Sequence, residues 1–307
     1  MNASQTPPAQ TTTGTRPSAV TGPASGPVTE PAPGPAAGPG PRVALITGAS
    51  RGLGLELARA LAAEGRQLVL TARDAAELAA VEAELAVVTK VVALAGSVVD
   101  DGHRERLAEA AAALGGAGLL INNASTLTGY DLAGAALPRL ADFPLPGLLE
   151  TFEVNVLGPL ALTQLVLPQL REQAGSVVNV SSDAAVEAYE GWGGYGASKA
   201  ALDHASAVLA AEEPELRVWA VDPGDMRTRM HQEAFPGEDI SDRPLPRTVV
   251  PAFLALLRDC PASGRYRAAD LLDAPTNESV VPATGSAAPT TGSVPATATS
   301  TTDEEHR

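Results

Sequence analysis

Tyr195 and Lys199 stand four residues apart in Tyr195-Gly-Ala-Ser-Lys199. On a helix that spacing puts both side chains on one face, one turn apart. A phenol titrates near ~10 in water and exchanges protons poorly at neutral pH. An ammonium beside it stabilises the phenolate and eases the transfer. The chain contains two lysines, Lys90 and Lys199, and one of them falls at this spacing. Ser182 precedes the tyrosine and offers a hydroxyl to a carbonyl oxygen. Asn155 and the pair Asn122-Asn123 offer amides that hold water or backbone in place. Singly, each of these is as readily a cap, a turn or a packing residue. Gathered at one place they make a proton-transfer site for a carbonyl or an alcohol.

A second group of residues points to a nucleotide. In Thr47-Gly-Ala-Ser-Arg-Gly-Leu-Gly54, Gly48 permits a tight turn, Gly52 a close approach to a pyrophosphate, and Gly54 close packing of helix on sheet. The helix that follows presents free N–H groups and its positive dipole end to phosphates. An NAD site places an acid at the end of the second strand to take the ribose 2′-hydroxyl. Here that strand ends Leu70-Thr71-Ala72, and the nearest carboxylate is Asp74. Arg51 and Arg73 flank the same point, and a guanidinium pairs bidentately with phosphate. The pattern favours NADP(H), with NAD(H) as the alternative that turns on Asp74.

The elements that must position these residues read as an alternation of short apolar strands and amphipathic helices. Strands are expected at 42–47, 67–72, 90–95, 118–121, 176–180, 216–221 and 264–267. Helices are expected at 53–64, 75–85, 101–114, 148–170, 194–211 and 249–259, with Pro159 and Pro168 leaving the continuity of the fourth open. Such alternation implies an α/β fold, a single Rossmann-like doubly wound parallel sheet with helices on both faces. Ligands of such sheets bind beyond the carboxyl ends of the strands, where every motif above falls. The segment 226–246 reads as a lid with some apolar contacts, among them Met230, His231 and Phe235; Trp192 is a further candidate for the same pocket.

Composition bounds the rest. The chain has 307 residues, 45% hydrophobic and 19% charged, enough for one core of about 230 residues. Residues 1–41 hold ten of the 26 prolines and two charges, Arg16 and Glu30. That tail and the Thr-, Ala- and Pro-rich 273–307 are expected to be disordered, leaving 42–272 as the catalytic domain. Between 42 and 272 stand 19 basic and 30 acidic side chains, a net of −11. That field repels nucleic acid and anionic membranes. Cys260 is the sole cysteine, so no intrachain disulfide and no cysteine-rich metal site is expected. With no apolar run of membrane-spanning length and no leader pattern, the sequence reads as a soluble, cytoplasmic, acidic protein.

These motifs, in this order, resemble the short-chain dehydrogenase/reductase family across residues 42–268. The family's glycine loop stands as TGASRGLG, its NNAG as Asn122-Asn123-Ala124-Ser125, its YxxxK as Tyr195 to Lys199, and its PG-turn as Asp222-Pro223-Gly224. The resemblance implies Tyr195 as general acid/base and Lys199 as holder of the nicotinamide ribose. It implies Ser182 as the group polarising the carbonyl and Asn155 as support for a relay water. It assigns the cofactor to Thr47, Gly48, Ser50, Arg51, Gly52, Leu53, Gly54, Arg73, Asn123, Ala124, Tyr195, Lys199, Pro223, Gly224 and Thr228, with no metal. The implied reaction is hydride transfer between NADP(H) and a small ketone, aldehyde or secondary alcohol, in a homodimer or homotetramer. Alternatives are a non-catalytic NADP(H)-binding regulator or scaffold, and a 3-oxoacyl-thioester reductase. Ser125 departs from the motif's glycine, and Ser97 stands where the family has an aspartate near the adenine.

Overall fold

The computed structural model describes residues 43–273. The two tails lie outside the described residues, apart from Asp273, which closes the last helix. Seven strands, β1 (Val43–Thr47), β2 (Leu68–Ala72), β3 (Val91–Ala95), β4 (Ala117–Asn122), β5 (Ser176–Val180), β6 (Arg217–Asp222) and β7 (Gly264–Arg267), form one sheet. Every pair is parallel, in the order β3-β2-β1-β4-β5-β6-β7. The helices are α1 (Gly52–Ala63), α2 (Ala75–Leu85), α3 (Asp101–Ala113), α4 (Leu145–Phe152), α5 (Gly158–Glu172), α6 (Gly193–Glu212), α7 (Arg229–Ala234), α8 (Val250–Asp259) and α9 (Ala268–Asp273).

Successive side chains of a strand point to opposite faces, and the core divides accordingly. Ala44, Ile46, Leu68, Leu70, Leu119, Ile121 and Val178 pack with the apolar stripes of α1, α2 and α8. Leu45, Val69, Leu120, Val177 and Val218 pack with α3 and α5 on the other face. With both faces covered, the strands are nearly continuous apolar runs, as a buried parallel sheet requires. The described residues start at the middle of the sheet, run outward to β3, then cross back to β4 on the far side of β1. The loops after β1 and β4 therefore diverge, and a crevice opens at the carboxyl ends of the strands.

One element differs from expectation in a way that matters for the site. The helix read at 148–170 runs from α4 into α5 through a five-residue π turn, Glu153–Leu157. Pro159 stands in the first turn of α5 and Pro168 within it, so both prolines are accommodated without a break. A π turn carries one more residue than an α turn and is widened locally, a feature frequent at functional sites. Asn155 sits at its centre. Two short helices, α7 and α9, go beyond the expected set; six residues each give too little periodicity to read.

Candidate active site

The carboxyl ends of β1, β4, β5 and β6 and the lid over them enclose a cleft of about 1300 Å³. Tyr195, in the first turn of α6, is buried against its wall. Removal from water disfavours the phenolate and lifts the phenol above its ordinary range. Bonds with the Ser182 and Ser125 hydroxyls act in the opposite direction, and the charges of Asp183 and Asp222 add to the rise. Ser182, immediately after β5, donates to Asp183 Oδ1 at 2.9 Å and accepts from the Ala184 amide at 3.2 Å.

Lys199, one turn along α6, is fully enclosed. Its Nζ donates to the Val180 carbonyl at 2.7 Å and lies 5.5 Å from the centre of the Tyr195 ring. Burial lowers its pKa from the ordinary 10.5 to about 8, against the opposing charge of Asp203. The expected lowering of the phenol by this ammonium is not the dominant effect in the free protein. The amine is committed to a backbone carbonyl, and desolvation of the phenol outweighs what favours its ionised form.

Asn155 has no exposed surface, and its amide is fully used. Oδ1 accepts from the Ser125 hydroxyl at 3.0 Å and the Thr126 amide at 2.9 Å. Nδ2 donates to the Thr126 carbonyl and to Ser198 Oγ, both at 2.9 Å. Ser198 in turn donates to the Tyr195 carbonyl at 2.6 Å. The π turn thus aims one side chain between the loop after β4 and the helix carrying the tyrosine, and fixes their separation.

Thr47, at the end of β1, accepts from the amides of Asn123 at 3.0 Å and Ala124 at 2.9 Å. The Asn123 amide returns to the carbonyls of Thr47 at 2.9 Å and Gly48 at 3.1 Å. A Cβ on Gly54 would lie 2.3 Å from the Gly48 carbonyl oxygen, so only glycine permits this closeness. The first turn of α1 has no side-chain cap and no acidic residue, leaving its N–H groups and dipole facing the cleft. Gly48, Ser50, Arg51, Gly52, Leu53, Arg73, Asn123, Ala124, Pro223, Gly224 and Thr228 all line that cleft. Thr47 is buried behind them. Asn122 points away from it and heads a buried ladder instead. Its Nδ2 donates to Asn179 Oδ1 at 2.8 Å, and Asn179 Nδ2 donates to Ser206 Oγ at 2.7 Å.

Around the second strand, Asp74 Oδ1 accepts from the amides of Ala76 at 3.0 Å and Glu77 at 2.9 Å. Its carboxylate is the cap of α2. Glu77 Oε2 accepts from Arg51 at 3.0 Å and from Ser50 at 3.1 Å, while Arg73 is exposed on the same rim. The residues present suit an adenine nucleotide: a glycine loop, an uncapped helix end and two guanidinium groups.

Residues 42–239 match the sequence profile described as short chain dehydrogenase. The chain belongs to the short-chain dehydrogenase family. Sepiapterin reductase of Bos taurus is 35% identical over 207 residues, covering 62% of this chain and 75% of that protein. Benzil reductase ((S)-benzoin forming) of Saccharomyces cerevisiae is 33% identical, covering 62% and 74%. Among solved structures, a short chain dehydrogenase from Shigella flexneri complexed with NADP aligns with TM-score 0.67 and 28% identity, over 74% of this chain and 97% of that one. This short-chain dehydrogenase is thus an oxidoreductase of a family that uses nicotinamide cofactors. Among the described residues no group of three or more potential ligands could hold a metal ion, and no helix is long and apolar enough to cross a membrane.

Three residues of this dehydrogenase's site carry roles the sequence did not announce. Ser125 was visible only as a departure from glycine; the fold turns its hydroxyl to both Asn155 and the phenol. Glu77 holds Arg51 from 26 residues away. Arg265 on β7 donates to the Ser182 carbonyl at 2.8 Å, to Asp203 at 2.9 Å and to Asp222 at 3.3 Å. It ties the serine's backbone to the PG-turn and to the helix of Tyr195.

Proposed function

We propose that this dehydrogenase is an NADP(H)-dependent reductase of small ketones and aldehydes, also able to oxidise the corresponding secondary alcohols. The observation that carries the reading is the convergence of Tyr195, Ser182 and Lys199 on one wall of the cleft, with the glycine loop on the other. A bound NADPH supplies the hydride. Ser182, and the Tyr195 hydroxyl beside it, bind the carbonyl oxygen and draw electron density from the carbon. Tyr195 gives its proton to that oxygen as it becomes an alcohol. The buried Lys199 places positive charge behind the phenol as it loses the proton, and its fixed bond to Val180 keeps it there. Asn155 holds the Ser125–Thr126 backbone and α6 at a constant distance, so the donors do not drift.

The preference for NADP(H) is supported by Asp74 being spent on capping α2 while Arg73 stands exposed at the end of β2, with Arg51, held by Glu77, on the same rim. The NADP complex of the Shigella relative agrees with it. The exposed Leu145, Leu149, Leu157 and Leu165 on α4, the π turn and α5 support self-association as a homodimer or homotetramer through these helices. Sedimentation at micromolar concentration tests that.

Titration with NADPH and NADH, followed by nicotinamide fluorescence, tests the cofactor: NADPH is expected to bind more tightly. Tyr195→Phe is expected to retain that binding and lose carbonyl reduction. Turnover surviving in Tyr195→Phe would overturn the mechanism. NADPH binding without reduction of any carbonyl by the unaltered protein would favour a sensor.

A further inference from the structure

The walls of the cleft also say what shape of carbonyl compound it takes. The chain has two Trp, four Tyr and four Phe, yet four of these ten, Tyr189, Trp192, Tyr195 and Phe235, line this one cleft. Trp192, Tyr195 and Phe235 form, with Leu127 and Met230, an apolar cluster separate from both sheet faces. Its members come from the loop after β4, the start of α6 and the lid, so neither helix-on-sheet packing nor a single amphipathic face accounts for it.

The rings are mutually braced. Trp192 meets Tyr195 edge-on, centroids 5.7 Å apart at 73°. It meets Phe235 at 5.9 Å and 43°, and Phe235 lies against the His231 ring at 4.8 Å and 38°. An aromatic wall of fixed tilt rewards a planar π partner beyond the area it buries.

We propose that the cleft selects carbonyl compounds carrying an aromatic ring on the carbonyl carbon, directly or through one methylene, the ring lying against Trp192 and Phe235. The inference rests on the reductase reading, since it is the oxygen at Tyr195 and Ser182 that sets the ring's distance. The reaction is the same: the C=O takes a hydride from NADPH at carbon and a proton from Tyr195 at oxygen, giving the alcohol and NADP⁺.

Phenylacetone and cyclohexylacetone make the test, because they match in size and the ring of neither is conjugated with the ketone. Steady-state reduction with NADPH is expected to give the aryl ketone about tenfold higher kcat/KM, the scale of one or two aromatic contacts. Trp192→Leu, or Phe235→Leu should the first variant fold poorly, is expected to bring the ratio close to one. A ratio near one in the unaltered enzyme overturns the inference and leaves the reductase reading standing. A tenfold ratio that survives both variants overturns the assignment to this wall. Reduction of neither ketone, nor of any other carbonyl compound, overturns the reductase reading and this inference with it.

Discussion

Lys199→Met keeps the length of a buried side chain and removes its charge, which makes it a direct measure of what the site costs the fold. Burial takes this amine from 10.5 to about 8. At about 1.4 kcal/mol per unit, that displacement corresponds to about 3 kcal/mol. The unfolded chain holds the proton up to its own higher pKa, whereas the folded chain releases it above about 8. Between these limits the unfolded state binds more protons, so stability of the unaltered protein rises with pH across the window. Below pH 8 both states are charged and the folded one bears the whole penalty. The methionine variant bears none, but it leaves the Val180 carbonyl without its donor, a loss of about 1 kcal/mol. Without nucleotide, Lys199→Met is therefore expected to be more stable by about 2 kcal/mol at pH 7. Near pH 10.5 the advantage should disappear or reverse. Urea unfolding of both proteins at the two pH values reads the change in their difference, in which titrating groups remote from Lys199 cancel. A difference that stays constant between pH 7 and 10.5 would refute the idea that a desolvated ammonium is held at this position. The same variant should lose carbonyl reduction, a trade of activity for stability.

Ser125→Ala removes one of the two hydroxyls that ease ionisation of Tyr195. The rise of alcohol oxidation with pH should move upward by about one unit, while ketone reduction near pH 6.5 changes little; equal losses in both directions would mean the serine only supports the loop. Gly54→Ala places a methyl group 2.3 Å from the Gly48 carbonyl oxygen and 2.5 Å from the Asn123 amide. About 1–3 kcal/mol of stability should go, together with nucleotide binding, as read by thermal melting and the fluorescence titration. Asn179→Leu cuts the ladder from Asn122 to Ser206 and should cost about 2–3 kcal/mol in urea unfolding; an unchanged midpoint would show that the ladder is dispensable.

The strands were legible almost to the residue because a short apolar run bounded by turn residues has few other uses in a covered parallel sheet. The strand Ser176–Val180, and the helix Ala75–Leu85 as well, have the same limits in sequence and structure. The π turn was not legible, since one extra residue in a helix barely disturbs a 3.6-residue pattern. The two prolines drew attention to the helix without revealing what was unusual in it. In the site, residue types and spacings placed Tyr195, Lys199 and the glycine loop on the cleft. Directions were not available from spacing: Asn122 and Asn123 are adjacent, yet one enters the core and the other grips the loop. Contacts set by tertiary folding, such as Glu77 on Arg51 and Arg265 on the Ser182 carbonyl, have no local signal at all.

The scarcity of lysine has a practical side. Lys199 is enclosed and bonded to Val180, while Lys90 is exposed and immediately precedes β3, on the amino-end edge of a sheet whose cleft lies at the carboxyl ends. Of the two lysines, amine-directed reagents, whether a dye, a biotin or an activated resin, are left with Lys90. A label placed on Lys90 sits on the side away from substrate entry, so a dehydrogenase coupled there should attach in a uniform orientation with its mouth clear.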